Sequence, residues 1–230
     1  MKLTTEITKP NCPKAVAEEV ADILRDRIVK GELAPFDRII ERRLSAELNV
    51  SRTPIREALK LLESDQLITI SLHRGAHVLE YLPEEAKALF DVISVLEGLA
   101  ARRLAEVITS DTLQLLEDLH GQMLDFYSLH DVTAYFDINT IIHDLIVDHC
   151  GNPVLTTNHG RLIARARRGR YLAIVNPKRL VQAVAEHEAI MQAFRARDPE
   201  TAATVWETHL RHTGDTVVDV LRMTQSTSKS

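Results

Sequence analysis

Aromatic residues are scarce in this 230-residue chain, at 4%, and there are only two cysteines, Cys12 and Cys150. Two cysteines so far apart make no disulfide framework, which excludes a small cross-linked secreted domain. No run approaches the about 18 apolar residues that a membrane span requires. The opening MKLTTEITKPNCPK lacks the apolar core of a signal peptide, so the cytoplasm is the expected compartment. Internal repeats and low-complexity tracts are absent. The chain also lacks bulk positive charge. Its formal net charge is −5, residues 1–80 hold 13 basic and 13 acidic side chains, and the rest hold 15 and 20. Any nucleic-acid reading must therefore rest on where the basic residues sit. A zinc-protease H-E-x-x-H is missing too: His187-Glu188 has no second histidine four residues on, and no nucleophile–base pair stands out. The chain is not read as an enzyme.

What is present is an ordinary globular load, 45% hydrophobic and 27% charged, carried by Leu, Val, Ile and Ala, which favours packed helices. Residues 1–13 are polar, with Pro10 and Pro13, and read as a flexible arm. Val16, Val20, Ile23, Leu24 and Ile28 recur at helical steps, and Gly31 with Pro35 provides the stop. A short helix fits Glu41 to Leu48, after which Asn49 suits a left-handed cap. Ser51-Arg52-Thr53-Pro54 opens a third helix, with Ser51 or Thr53 as its cap and Ile55, Ala58, Leu59 and Leu62 as its apolar stripe. Leu67–Leu72 and Ala76–Leu79 alternate around His73-Arg74-Gly75, a hairpin signal. After Pro83 the pattern is helical, with helices expected near 84–107, 111–129, 131–150, 153–172, 177–197 and 200–223, punctuated by Asn-Pro and Asp-Pro pairs. The fold class is mainly α. An N-terminal winged helix-turn-helix over 14–82 precedes a six-helix antiparallel bundle over 83–223, and 224–230 form a polar tail.

In a winged helix the third helix enters the major groove N-terminus first. That end carries Ser51, Arg52, Thr53 and Arg56. Arginine reads guanine through two hydrogen bonds, and the hydroxyls reach phosphates or base edges. Arg42 is placed for the DNA backbone, and Arg74-Gly75 at the hairpin tip for the minor groove or a phosphate. The stretch Ile40-Glu41-Arg42-Arg43-Leu44-Ser45 and then Asn49-Val50-Ser51-Arg52-Thr53-Pro54-Ile55-Arg56-Glu57-Ala58-Leu59 resembles the signature of the GntR superfamily, with Asn49 where glycine is common. The resemblance implies a cytoplasmic homodimeric transcription regulator on a short palindrome of double-stranded DNA. It also implies that Arg42, Arg52, Thr53, Arg56 and Gly75 occupy DNA-contact positions.

In the second half, Phe136, Asn139, His143, Ile146 and Cys150 share one helical face. Leu180, Val184, His187, Met191 and Phe194 share another, and His209 follows Trp206 by one turn. Buried polar groups need partners, and converging imidazoles are most simply satisfied by a divalent metal. The other reading is three hydrogen-bonded core histidines. The helices are similar to the FCD domain of the FadR-like branch of the superfamily, whose pattern is D/N-x-x-x-H, H, H. This implies a metal site of Asn139, His143, His187 and His209, suited to zinc or nickel, beneath a small-molecule effector, a carboxylate. Asn139 replaces the commoner aspartate, so the site has one negative charge fewer. His212 is an alternative ligand. Where many such domains carry an effector-binding arginine in the first helix, this chain has Ile93. Arg161, Arg165, Arg167, Arg168 and Arg170 are the substitute candidates, and Arg165 is taken as the effector contact. The competing readings are a regulator whose effector is the ion itself and, less well supported, a metalloenzyme.

Overall fold

The structure, a computed structural model, describes residues 13–227. The arm expected over 1–13, with Cys12, lies outside the described residues except for Pro13. The chain parts into two compact units between Tyr81 and Leu82.

The first unit contains α1 (Pro13–Val29), β1 (Arg38–Ile39), α2 (Glu41–Glu47), α3 (Arg52–Ser64), β2 (Ile68–Ser71) and β3 (Gly75–Val78). The predicted stripe of α3 is buried, and Val20, Leu24 and Ile28 of α1 join it in the core. Asn49 takes the left-handed backbone, at φ 51°. The hairpin is antiparallel, with Ile68 opposite Val78 and Ser71 opposite Gly75. The pattern did not foresee β1, which pairs Arg38 with His77 and Ile39 with Ala76 and makes β3 the central strand. Two residues are too few to show a period, so only the partner strand defines them as a strand.

The second unit contains α4 (Pro83–Val107), α5 (Ser110–Ser128), α6 (Val132–Asp148), α7 (Pro153–Gly160), α8 (Ile163–Ile174), α9 (Pro177–Ala196) and α10 (Pro199–Thr227). Six helices were expected here, and seven are found among the described residues because the one read over 153–172 breaks at Arg161-Leu162. The local cause is Gly160, about 1 kcal/mol less favourable than alanine inside a helix. After it, the N–H of Leu162 bonds the carbonyl of His159 in a tighter turn. At the other end, α10 runs into the stretch read as a tail. The hydroxyls of Thr224 and Ser226 donate to the carbonyls of Val220 and Arg222 four residues back, so polar side chains are accommodated on the helix itself. Residues 228–230 lie outside the described residues.

The spine of this unit is the antiparallel pair α4 and α10. Arg102 pairs with Glu200 near one end, and Lys87 lies 3.9 Å from Asp215 at the other. Two glycines let the backbones approach. A Cβ at Gly98 would lie 3.1 Å from Glu207 Cβ, and one at Gly214 would lie 2.5 Å from Phe90 Cβ. Phe90 is buried and cannot swing clear.

Gly214→Ala should therefore force α4 and α10 apart and lower stability by about 1–3 kcal/mol, a loss of several degrees in Tm at about 2–4 °C per kcal/mol. Gly121→Ala, where the added methyl meets nothing within 4 Å, should leave Tm unchanged or raise it. Thermal melting of both variants checks the account, and a Gly214→Ala protein as stable as the parent would refute it.

Candidate functional site

α6 brings Asn139 and His143, one turn apart, to a point where α9 brings His187 and α10 brings His209. All four are buried, with at most 3% of each exposed. One nitrogen from each of the three imidazoles lies within 4.8 Å of the others, and the ring centroids are 5.0–5.7 Å apart. Trp206 stacks on His209 at 4.7 Å and 9° and lies 4.4 Å from His143.

The ring orientations are set from behind. His143 Nδ1 donates to Glu97 Oε2 at 2.6 Å, and His209 Nδ1 donates to Glu186 Oε2 at 2.7 Å. A carboxylate on Nδ1 fixes the tautomer and leaves the lone pair on Nε2, the arrangement seen behind metal-bound histidines. His143 Nε2 is buried with no partner among the described residues, and so is His187 Nδ1. Asn139 Nδ2 lies 2.8 Å from His187 Nε2. Turning the amide over would place its oxygen there instead. The orphaned His143 Nε2, with a carboxylate behind its ring, and the orphaned His187 Nδ1, with an amide behind its ring, fit a cation. His212 does not join the three. Its Nδ1 is 2.7 Å from Glu186 Oε1, on the far side of that carboxylate.

Glu97 and Glu186 were not singled out in the sequence, although Glu97 interrupts the stripe Phe90, Ile93, Ala101 and Leu104, and this break in the apolar pattern was the available signal. Glu97 is fully buried and also accepts from His159 Nε2 at 3.0 Å and Trp206 Nε1 at 3.2 Å. Burial alone would raise its pKa, but His143 and His159 hold the carboxyl well below its ordinary value. Burial likewise opposes charge on Glu186, yet hydrogen bonding from His209 and the Arg179 guanidinium bring it down to about 2. Arg179 itself is buried and donates to Glu186, the His209 carbonyl and Thr213 Oγ1 at 2.8–2.9 Å. The imidazoles move the other way. Burial, then the Arg170 charge, pushes His143 well below the usual range. Burial and the neighbouring histidines do the same to His187, and burial lowers His209 against the pull of Glu186.

Of the basic run, Arg161 at the end of α7 is exposed, while on α8 Arg165 and Arg167 are half-buried and Arg168 and Arg170 are buried. Arg167 pairs with Asp144. Ile93 is fully buried.

In the first unit, Arg42, Arg52 and Arg56 are exposed around a concavity of about 490 Å³ that Gly75 also lines. Arg38 and Lys60 complete the basic rim. Arg38 escaped the sequence reading because β1 did, and its guanidinium lies 3.8 Å from where a Cβ on Gly75 would be. Arg56 Nε donates to Glu41 at 2.9 Å. Ser51 occupies the N-cap of α3, but its hydroxyl makes no cap bond and stays exposed. Thr53 faces a different groove, beside Ala17 and Pro54, and Arg74 is exposed in the hairpin turn.

Residues 88–212 match the family described as "FCD domain", and residues 16–78 match "Bacterial regulatory proteins, gntR family". The HTH-type transcriptional repressor RspR of Escherichia coli K12 is 27% identical over 213 residues, covering 91% of this chain and 92% of its own. The HTH-type transcriptional repressor NanR of Klebsiella aerogenes is 27% identical over 88% of this chain and 85% of its own. Among solved structures, E. coli McbR/YncC superposes with TM-score 0.78 at 21% identity, covering 91% of this chain and 98% of that one. A GntR regulator from Rhodococcus sp. RHA1 gives 0.74 at 21% identity over 89% and 98%.

The three depressed imidazoles predict an acid-side loss of stability. In the unfolded chain they take up protons near the ordinary value of about 6.5, whereas in the folded chain they resist. Their stabilisation is thus complete above that pH and declines as pH falls below it. The metal-free protein, melted by circular dichroism from pH 8 to 5, should lose Tm from about pH 6.5 downward. That is well above the window of Glu97 and Glu186, whose contribution is lost only below the ordinary carboxyl range of about 4.3. A flat Tm down to pH 5 would show that the imidazoles are not held neutral.

Proposed function

The chain belongs to the GntR family of bacterial regulatory proteins and is a transcription regulator with an FCD domain; on that premise we propose that a small organic acid, bound over a divalent metal in the helical unit, modulates its affinity for a DNA operator. Its relatives RspR and NanR are transcriptional repressors, so the histidine cluster is read as a binding site. The observation that carries the proposal is the convergence of three buried imidazoles, one nitrogen of each within 4.8 Å of the others, with His143 Nε2 unpartnered among the described residues.

In this reading His143, His187 and His209 hold zinc or nickel, with the Asn139 amide oxygen as a neutral fourth donor. A bound dication supplies a positive floor for an effector oxygen. Glu97 and Glu186 keep the imidazoles oriented, and Trp206 shields one side from water. Arg165, half-buried and with no partner for its Nε among the described residues, is an effector contact. Effector binding draws α6, α9 and α10 together and changes how they rest on α4. That helix starts at Pro83, directly after the DNA-reading unit in the chain, and so carries the change toward it.

DNA is held by Arg42, Ser51, Arg52, Thr53, Arg56, Arg74 and Gly75, as a homodimer on a palindrome. A second copy has a suitable surface on α4, where Val92, Val95 and Leu99 lie on one helical face and are 42–52% exposed. Such a stripe, at steps of three and four, suits self-association.

Two experiments test this. Protein purified without an affinity tag should carry near-stoichiometric metal by elemental analysis, and a folded His143→Ala/His187→Ala variant should carry none; equal metal in both would refute the site. In operator titrations, Arg52→Ala should cost about 1–3 kcal/mol of specific binding. Arg38→Ala should weaken specific and non-specific DNA alike and lower the salt slope by about 1. Unchanged binding in both variants would move the reading face elsewhere.

A further inference from the structure

The concavity of about 490 Å³ in the first unit is cationic at its rim and apolar inside. Five basic side chains, Arg38, Arg42, Arg52, Arg56 and Lys60, line it against one carboxylate, Glu41, which is itself paired with Arg56. The sheet supplies a row of apolar side chains in register. Ile39 on β1 lies opposite Ala76 on β3, and Ala76 lies opposite Ile70 on β2, so all three share one face. Leu59 of α3 lines the same space. Ile39, Leu59 and Ala76 are buried and belong to the core. Ile40 and Ile70 do not: both line the concavity, yet they are 49% and 40% exposed.

The fold gains little from either isoleucine. Ile40 is the N-cap of α2, where Ser, Thr, Asp or Asn would accept an amide hydrogen bond, and it makes no such bond. Ile70 stands on the edge strand β2 between the polar Thr69 and Ser71. Its N–H donates to Glu63 Oε1 of α3 at 2.8 Å, which ties this point of the strand to the recognition helix. A lone exposed isoleucine is ordinary surface. Two of them inside one ring of five cations form an apolar wall where charge alone would suffice for a phosphate.

We propose that this concavity seats one deoxyribose–phosphate strand of the operator, with Ile40 and Ile70 packed on its sugars, and that these two residues select deoxyribose over ribose. This rests on the reading of this face as the one that meets DNA. With α3 in the major groove and the hairpin tip at the minor groove, the strand that separates the two grooves crosses the space between them. Its phosphates meet the cationic rim, and the C–H edges of its sugars meet the isoleucines. A ribose would bring a 2′-hydroxyl to that wall, the group by which a protein tells RNA from DNA at a given site. Against isoleucine the hydroxyl loses water and gains no partner.

The test uses the full-length protein and a duplex that it selects from random-sequence DNA, with single ribonucleotides placed in turn along each strand. In wild type, a ribose at one or two adjacent positions of each half-site should weaken binding at least about fivefold, the effect of burying one unpaired hydroxyl. A 2′-fluoro nucleotide at those positions, which shares the ribose pucker but lacks the O–H, should cost less than half as much. Ile40→Thr and Ile70→Thr place a hydroxyl partner on the wall, and at least one of them should halve the ribose penalty while keeping the parent Tm. A flat ribose scan in wild type, an equal loss with 2′-fluoro, or a penalty unchanged in both folded variants would each overturn the proposal. The wild-type scan decides by itself if neither variant folds. Arg38→Ala and Arg52→Ala on the all-DNA duplex separate this from the broader reading. If both weaken binding while the ribose scan is flat, the DNA face stands and the sugar seat falls. If neither does, the face itself is misplaced and the seat falls with it.

Discussion

Glu97 is a carboxylate with no exposure, and it accepts hydrogen bonds from three helices other than its own: from His143 on α6, His159 on α7 and Trp206 on α10. A buried charge is tolerated only when its lone pairs are used, and removing it from partners arranged this way typically costs about 3–5 kcal/mol. The helical unit is therefore assembled around a point that demands correct geometry from four helices at once. The histidine cluster inherits its order from that demand. His143 is aimed by Glu97, His209 is aimed by Glu186, and Trp206 is held between the two by its indole N–H and its stacking. Apolar packing of α4 on α10 supplies the bulk of the attraction, while the buried carboxylate selects which packing is reached.

Most of the architecture was legible because it depends on periodicity and turn chemistry. Ile55, Ala58, Leu59 and Leu62 announce α3, Asn49 marks the left-handed turn before it, and each Asn-Pro or Asp-Pro pair precedes a helix that does start there. Asn139, His143, His187 and His209 could be placed on inward faces for the same reason. Features that depend on long-range partners were not legible. β1 is two residues long and exists only through β3. The break between α7 and α8 turns on one glycine. Thr224 and Ser226 look like tail residues until their hydroxyls are seen bonding backward along α10. Glu97 and Glu186 read as ordinary helical acids, since nothing nearby in sequence says that imidazoles 46 and 23 residues away need them. In the basic run of α8, spacing could not distinguish Arg165 from Arg170, because the two differ only in what the other helices place over them.

The two units solve different electrostatic problems with the same residue type. On the DNA-reading unit, arginines are exposed, well hydrated and loosely paired, as Arg56 is with Glu41, so a phosphate or a base edge can displace water or a surface acid at small cost. In the helical unit Arg170 and Arg179 are stripped of water. There Arg179 meets Glu186 as a dry, fixed pair, and each hydrogen bond is stronger for lying in a medium of low dielectric.

Trp206 is the single tryptophan of the chain, and it is wholly buried against His209 and His143 with its indole N–H on Glu97. The protein thus carries one native fluorophore, located in the histidine cluster. Its emission comes from that cluster alone, with no background from indoles elsewhere. A paramagnetic ion such as nickel would quench it at contact distance, whereas zinc, with a closed d shell, would alter it only through charge and packing. Occupancy of the cluster can therefore be followed optically in the unlabelled molecule, while it is free or while it is bound to DNA.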